Sequence, residues 1–240
     1  MLLEEIKKIH SSVRESYGSP RMRAELVSRG YICGRNRVAR LMRENGIIAR
    51  RVVRFRRLTK AGKRNPVAAN LLDRKFNVSE ANRVWASDIT YIPTAEGFLY
   101  LAVVLDLYSR RVVGWGMSSR LNPELVGSAL LQALDRRDVE PGLMHHSDRD
   151  VLYSSKAYQF ILTSNGIECS MSRKGNCYDN ACVESFFGNL KNEFVSFEKF
   201  KSRDQAAVEL FSWIEVHYNR VRKHSTLGYL SPVDYKNKIC

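Results

Sequence analysis

Hydrophobic positions repeat differently in the two parts of the chain. Before residue 84 the apolar spacing is helical. In YGSPRMRAELVSRGY, Ser19 is placed to cap and Pro20 suits the first helical position, with Met22, Leu26 and Val27 near helical spacing and Gly30 at the end. A second helix is predicted from about Arg35 to Glu44, with Val38, Leu41 and Met42 inward and Gly46 just past its end. From Val84 the pattern turns β-rich. VWASDITYI, GFLYLAVVLDLYS and RRVVGWGMS predict three consecutive strands in a meander. Leu125, Val126, Ala129, Leu130, Ala133 and Leu134 then predict a helix over 123–137. GLMHHSD reads as a short strand ending in Asp148, 156–165 as a helix and IECSM as another short strand. Two helices follow, one carrying Glu184 and the last running from about Arg203 to Asn219. Trp85, Trp115 and Trp213, in apolar contexts, are assigned to the core.

This order predicts an α/β ribonuclease-H-like mixed five-stranded sheet flanked by helices, preceded by a small helical helix-turn-helix segment. Three parts are expected: a helix-turn-helix-like DNA-binding segment at 1–49, a basic linker at 50–80, and a catalytic domain with a C-terminal helical tail at 81–240. No internal repeat is visible.

Charge sharpens that division. The chain has 240 residues and a net charge of +14. Residues 1–70 hold 18 Lys and Arg against 5 Asp and Glu, while the remainder is nearly balanced. Charge confined to one end points to a polyanion partner, and nucleic acid fits better than a membrane because the segment has few large apolar residues to insert. Arg35, Arg37, Arg40 and Arg43 decorate the second short helix, in the manner of a helix-turn-helix or of a generic basic hairpin. Residues 50–64, RRVVRFRRLTKAGKR, hold eight basic residues and no acid, so Arg50, Arg51, Arg54, Arg56 and Arg57 are candidates to track DNA phosphates. Five cysteines without a CxxC pair suggest neither a disulfide framework nor a zinc ribbon. With no long apolar run and no signal-peptide pattern, a cytoplasmic, nucleoid-associated protein without a membrane partner is expected.

Three acids stand out: Asp88 within the first strand, Asp148 at the end of the fourth, and Glu184 early in the late helix. In such a sheet the first and fourth strands are neighbours, so the aspartates can converge and the helix can bring Glu184 to them. Carboxylates gathered this way repel unless a cation neutralises them. Oxygen donors suit Mg2+ or Mn2+, and two such ions can clamp the attacking and leaving oxygens of an in-line phosphoryl displacement. On the late helix Val183, Phe186, Phe187, Leu190 and Phe194 form a core stripe, with Glu184, Gly188 and Lys191 on another face. Gly188 would let DNA come close there and Lys191 would hold a phosphate. Taken alone, Glu184 equally fits a solvated surface glutamate. His145 and His146 fit either a structural role or one orienting substrate or metal-bound water. Asn219, Arg222 and His224 in the tail are candidate DNA contacts. Tyr178, Gly175 and the asparagines around them suit a loop that orders on DNA.

WASDITYI, HHSDRD and SRKGNCYDNACVESFFGNLKNE resemble the three catalytic blocks of the DDE transposases of bacterial insertion sequences, specifically the second reading frame of the IS-three family. Thirty-five residues separate Asp148 from Glu184, the spacing of the D,D-35-E pattern. YGSPRMRAEL…RVARLMRENGI resembles the family's helix-turn-helix segment, and HYNRVRKHSTLGYLSPVDY its C-terminal signature. The resemblance implies that Asp88, Asp148 and Glu184 form the metal-binding catalytic triad. It implies cleavage at the element's ends followed by attack of a DNA 3′-hydroxyl, by a copy-out route through a figure-eight and a circle. The implied partners are terminal-repeat and target DNA, further copies of the chain, and the product of an upstream frame that supplies another helix-turn-helix and a leucine zipper. The chain has no sustained heptad run of its own. It departs from the family at Asp150, where glycine is usual. Two other readings keep the fold: a structure-selective metal-dependent nuclease that never joins strands, and an inactive transposase-derived DNA-binding regulator.

Overall fold

The computed structural model describes residues 1–50, 68–173 and 177–239. Arg51, Arg54, Arg56, Arg57, Gly175 and Asn176 lie outside the described residues. The chain divides into two compact units, one from the described parts of residues 1–55 with 189–198 and 212–240, the other from the described parts of 56–188 with 199–211.

The first unit begins with α1 (Leu2–Ser12), α2 (Ser19–Ser28) and α3 (Arg35–Glu44). Ile6, Ile9, Val13, Tyr17, Met22, Leu26, Val38 and Met42 close into one buried cluster, which takes Met22, Leu26, Val38 and Met42 from the expected positions, while Val27 is exposed and Leu41 only half-buried. Ser19 is not the cap of α2. Gly18 holds that place with no side-chain bond, and Ser19 is already helical. The tail belongs to this unit. The Tyr17 hydroxyl accepts from the Lys223 amide at 2.8 Å and donates to the Val221 carbonyl at 3.2 Å.

The second unit is built on a five-stranded sheet: β1 (Val84–Thr94), β2 (Gly97–Asp106), β3 (Val112–Ser118), β4 (Met144–Ser147) and β5 (Glu168–Met171). Its order is β3-β2-β1-β4-β5, with β1, β2 and β3 antiparallel and β4 and β5 parallel to β1. The helices α4 (Pro123–Asp135) and α5 (Lys156–Ser164) start where Asn122 and Ser155 accept the amides of Leu125 and Tyr158. Leu125, Val126, Ala129, Leu130 and Ala133 of α4 and Tyr158 and Leu162 of α5 share a core with Trp85, Ala102 and Val104. Leu101, Val103 and Leu105 are buried as well, so β2 reads as a nearly continuous apolar run.

Two glycines fix how closely α4 lies on β3. A Cβ at Gly114 would sit 2.1 Å from the Ala129 carbonyl oxygen, and one at Gly116 would sit 2.7 Å from that of Leu125. Trp115 between them is only half-buried, meeting Phe211 edge-on at 5.7 Å. The pleat turns it to the face opposite the two glycines, which is why the expected core position fails.

After β5 come α6 (Ala181–Glu193), α7 (Arg203–Ser212) and α8 (Pro232–Ile239). The expected helix from Arg203 to Asn219 is α-helical only to Ser212 and continues as a π-helix over Trp213–Val221. Trp213 stacks on Tyr218 at 5.5 Å, an i, i+5 pair that matches the π repeat.

Candidate active site

Strand β1 pairs with β4 in parallel, with Trp85 opposite His145 and Ala86 opposite His146. The same count carried two residues on would match Asp88 with Asp148, the first residue beyond β4. Neighbouring strands lie about 4.8 Å apart, and residues at matched positions share a face. Both carboxylates are half-buried and make local bonds: Asp88 accepts the Ile89 amide at 2.7 Å, and Asp148 accepts the Asp150 amide at 3.0 Å. Burial pushes the Asp148 carboxyl up to about 6, with the Asp150 amide opposing and the Asp150 charge adding to the rise. Tyr153, fully buried against the rings of Tyr158 and His145, is held protonated by burial and by the charges of Tyr158, Asp88, Asp148 and Asp150. Its hydroxyl has no hydrogen-bond partner among the described residues.

Asp150 is not in the left-handed region that would call for glycine. Its Oδ1 instead accepts the Leu152 amide at 2.9 Å, closing the turn that leads toward Tyr153 and α5. The substitution therefore costs no backbone strain but adds a negative charge next to Asp148.

The two histidines before Asp148 are structural. His145 Nε2 lies 2.8 Å from Ser87 Oγ and 2.9 Å from the Tyr158 hydroxyl. His146 bridges Ser170 at 2.9 Å and Ser172 at 3.1 Å. Burial lowers their pKa values to about 3 and about 4, so both are neutral at physiological pH. They pin β4 to its neighbours and offer no ring nitrogen to solvent.

Glu184 stands half-buried in the first turn of α6. The start of that helix is tied to β1 by Asn180, whose buried amide donates to the Ser87 carbonyl at 3.0 Å, one residue before Asp88. The apolar stripe of Val183, Phe186, Phe187, Leu190 and Phe194 is buried as its spacing predicts. A Cβ at Gly188 would meet nothing within 4 Å, so packing does not require glycine there. Lys191 is half-buried in the last turn. Among the described residues no three His, Cys, Asp or Glu side chains are already gathered as a metal cage. Carboxylate oxygens are the donors that hard divalent cations take, and burial and the Asp150 charge favour neutralisation of Asp148.

Of the basic candidates, Arg35, Arg37, Arg40 and Arg43 are exposed on α3, which the inward Val38 and Met42 orient. Arg50 is exposed, 2.8 Å from Glu15. Arg222 and His224 do not fit the expected DNA contacts. Arg222 is buried and grips Glu193 through Nε and NH2, both at 2.7 Å, with NH1 3.3 Å from His224 Nε2. Asn219 is buried as well. An arginine in a sequence full of exposed arginines looked like a phosphate ligand, but its carboxylate partner sits 29 residues away.

Sequence reasoning passed over Tyr153 and Asp179. The Asp179 carboxylate is wholly buried and accepts from the Arg173 amide and side chain, Arg74 and Asn70 at 2.9–3.3 Å. An acid beside two asparagines and a tyrosine in NCYDNA was the only signal.

Comparison with known proteins agrees with this geometry. A model described as "Integrase core domain" matches residues 78–177, a second of that description matches 165–232, and an "HTH-like domain" matches 1–55. Integrase cores of this kind work with divalent metal ions, and both domain types bind DNA. The chain is 44% identical over 225 residues to Transposase InsF for insertion sequence IS3A of Escherichia coli (strain K12), covering 94% of this chain and 78% of that one. It is 40% identical over 237 residues to the transposase for insertion sequence element IS904 of Lactococcus lactis, covering 98% and 93%. Among solved structures, the simian T-cell lymphotropic virus intasome in complex with PP2A regulatory subunit B56 gamma aligns with TM-score 0.54 at 16% identity, covering 96% of this chain and 74% of that one. The HTLV-2 integrase catalytic core domain in complex with magnesium aligns with TM-score 0.50 at 20% identity, covering 65% and 96%. At such identities the two structures speak for a ribonuclease-H-like, integrase-type fold. The relatives at 40–44% identity over nearly the whole chain go further: this protein belongs to the IS3-type DDE transposases, polynucleotidyl transferases that move DNA by strand cleavage and strand transfer.

Proposed function

We propose that Asp88, Asp148 and Glu184 are the catalytic carboxylates of this transposase and that together they hold two divalent ions, Mg2+ or Mn2+. The observation that supports the reading is the parallel β1–β4 register, whose continuation would match Asp88 with Asp148, together with the Asn180 bond that ties the helix of Glu184 to β1. When bound, the ions supply the charge that activates a water or a DNA 3′-hydroxyl and stabilises the departing oxygen. The protein's own part is to hold oxygen donors on rigid elements. Burial and Asp150 leave Asp148 in need of positive charge. His145 and His146 fix the strand beneath it, neutral and therefore silent in the charge balance.

DNA is held, in this reading, by the helix-turn-helix segment at 1–49 and the basic linker at 50–80, and cut by the domain beginning at 81. Arg35, Arg37, Arg40, Arg43 and Arg50 take phosphates of the terminal repeats, and Lys191 holds a further phosphate. The working form is an oligomer of this chain on DNA, joined where present by the upstream-frame product, at the nucleoid. Purified chain with Mg2+ and an oligonucleotide bearing its own element's terminal repeat should nick and join. Alanine at Asp88, Asp148 or Glu184 should abolish both steps and spare DNA binding. Near-normal strand transfer in any one of these variants would sink the assignment.

A further inference from the structure

The segment before α6 presents an exposed aromatic ring beside two guanidinium groups, all organised by one buried acid. Tyr178 lies 69% exposed on the 3-10 helix Cys177–Asn180. Other rings of the second unit are exposed too, Phe160 and Phe98 among them, but Tyr178 lies six residues before Glu184 and beside two guanidinium groups. Arg74 lies over one face of this ring, 5.8 Å from its centroid. The other groups of the cluster fix that arginine. Asp179, wholly buried, binds Arg74 Nε at 2.9 Å and Arg173 Nε at 3.1 Å and takes the Arg173 amide at 2.9 Å. Arg173 also reaches Asp73 at 2.8 Å. Both guanidinium groups stay about half exposed.

The cluster is wired to both aspartates through short paths. Asn180, beside Asp179, bonds the carbonyl preceding Asp88. Arg149, beside Asp148, donates to the Ser172 carbonyl at 2.6 Å, and Ser172 precedes Arg173. A ligand at Tyr178 is therefore held on the same rigid frame as the carboxylates.

An exposed aromatic with arginine alongside is the arrangement that holds an unpaired nucleotide: the base stacks on the ring and the phosphate meets the cations. Paired bases are stacked already and would gain nothing from the ring. We propose that Tyr178, Arg74 and Arg173 form a binding site for one unpaired DNA nucleotide next to the strand being cut, with Asp179 as the residue that positions both arginines. The site gives the enzyme a means to keep a terminal base pair open while its phosphodiester enters the carboxylate site. The proposal rests on Asp88, Asp148 and Glu184 being that site.

The test uses the whole chain and an oligonucleotide of its own terminal repeat, with 2-aminopurine at the end of the strand. Without divalent metal, binding of the parent chain should change the 2-aminopurine fluorescence. Tyr178→Ala should remove that change while melting at the parent's temperature. With Mg2+, Tyr178→Ala should cleave fully paired ends about tenfold more slowly, the loss expected from one base stack. On ends whose terminal bases are mismatched the deficit should fall below about threefold, and Tyr178→Phe should lose less than about threefold on either end. Cleavage of paired ends by Tyr178→Ala at the parent's rate overturns the proposal. So does a deficit of equal size on paired and mismatched ends with the fluorescence change intact. Asp148→Asn separates the two readings. If it cuts DNA normally the triad is wrong, whereas a fluorescence change retained in an inactive Asp148→Asn supports both.

Discussion

Two buried or half-buried acids, one in each compact unit, have opposite electrostatic fates. Asp148, at the end of β4, has no lysine or arginine partner among the described residues, and its carboxyl is pushed up to about 6. Glu193, at the end of α6, is pushed the same way by burial, but the bonds and charges of Arg222 and Arg21 outweigh it and its pKa lies below the ordinary value. Asp179 behaves like Glu193, its burial outweighed by Arg173 and Arg74 so that it stays ionised far below the usual carboxylate range. A carboxylate that arrives with its own cation is finished as structure. One left beside another acid is a place where charge must come from outside, which is what a metal-dependent phosphoryl transfer requires.

The contrast can be broken most sharply at the three proposed catalytic carboxylates. Asp88→Asn, Asp148→Asn and Glu184→Gln should each lower strand transfer at least about a thousandfold, a loss of roughly 4 kcal/mol of transition-state stabilisation. Unchanged terminal-repeat binding in a gel-shift titration would show that the loss is chemical.

Glu193 should fail differently. Glu193→Ala leaves Arg222 buried without its partner, which costs about 3–5 kcal/mol of stability. Denaturant unfolding would read that loss, and replacing Glu193 and Arg222 together by apolar residues of similar volume should restore much of it. If Glu193→Ala instead unfolds like the parent, the pair holds nothing.

Protons sharpen the comparison further. Because folding raises the Asp148 pKa above its ordinary 3.8, its contribution to stability is full below pH 4 and is lost as pH rises through about 6. In metal-free buffer the parent should lose about 3 kcal/mol more than Asp148→Asn across that window. Glu193 has the opposite sign, with its contribution present at neutral pH and lost as pH falls below the ordinary glutamate range. The smallest effects belong to α3. Alanine at Arg35, Arg37, Arg40 or Arg43 should change stability by less than about 0.5 kcal/mol. Each should reduce the salt slope of DNA binding by about one.

Local pattern carried far in this chain. Strand and helix positions around 84–171 follow from alternation, helical spacing and turn residues, because each element's inward face is written in consecutive residues. The excess of basic residues at one end, and the three acids with 35 residues between the last two, are likewise linear facts. Pattern failed where a residue's partner is distant. Arg222 is an exposed cation by composition and a buried one by its bond to Glu193. Trp115 is a core residue by context and a half-buried one by the pleat. The π-helical turn needed the stacking of Trp213 on Tyr218 to be seen.

The sequence by itself determined the strands and helices between 84 and 171, their order, the one-sided basic charge and which acids to suspect, since all of these rest on neighbours along the chain. Only the tertiary structure decided which charges are neutralised and which are left wanting. Coulomb energy depends on distance and burial in space, and the β1–β4 register, the Asn180 tie and the Asp179 clasp set both.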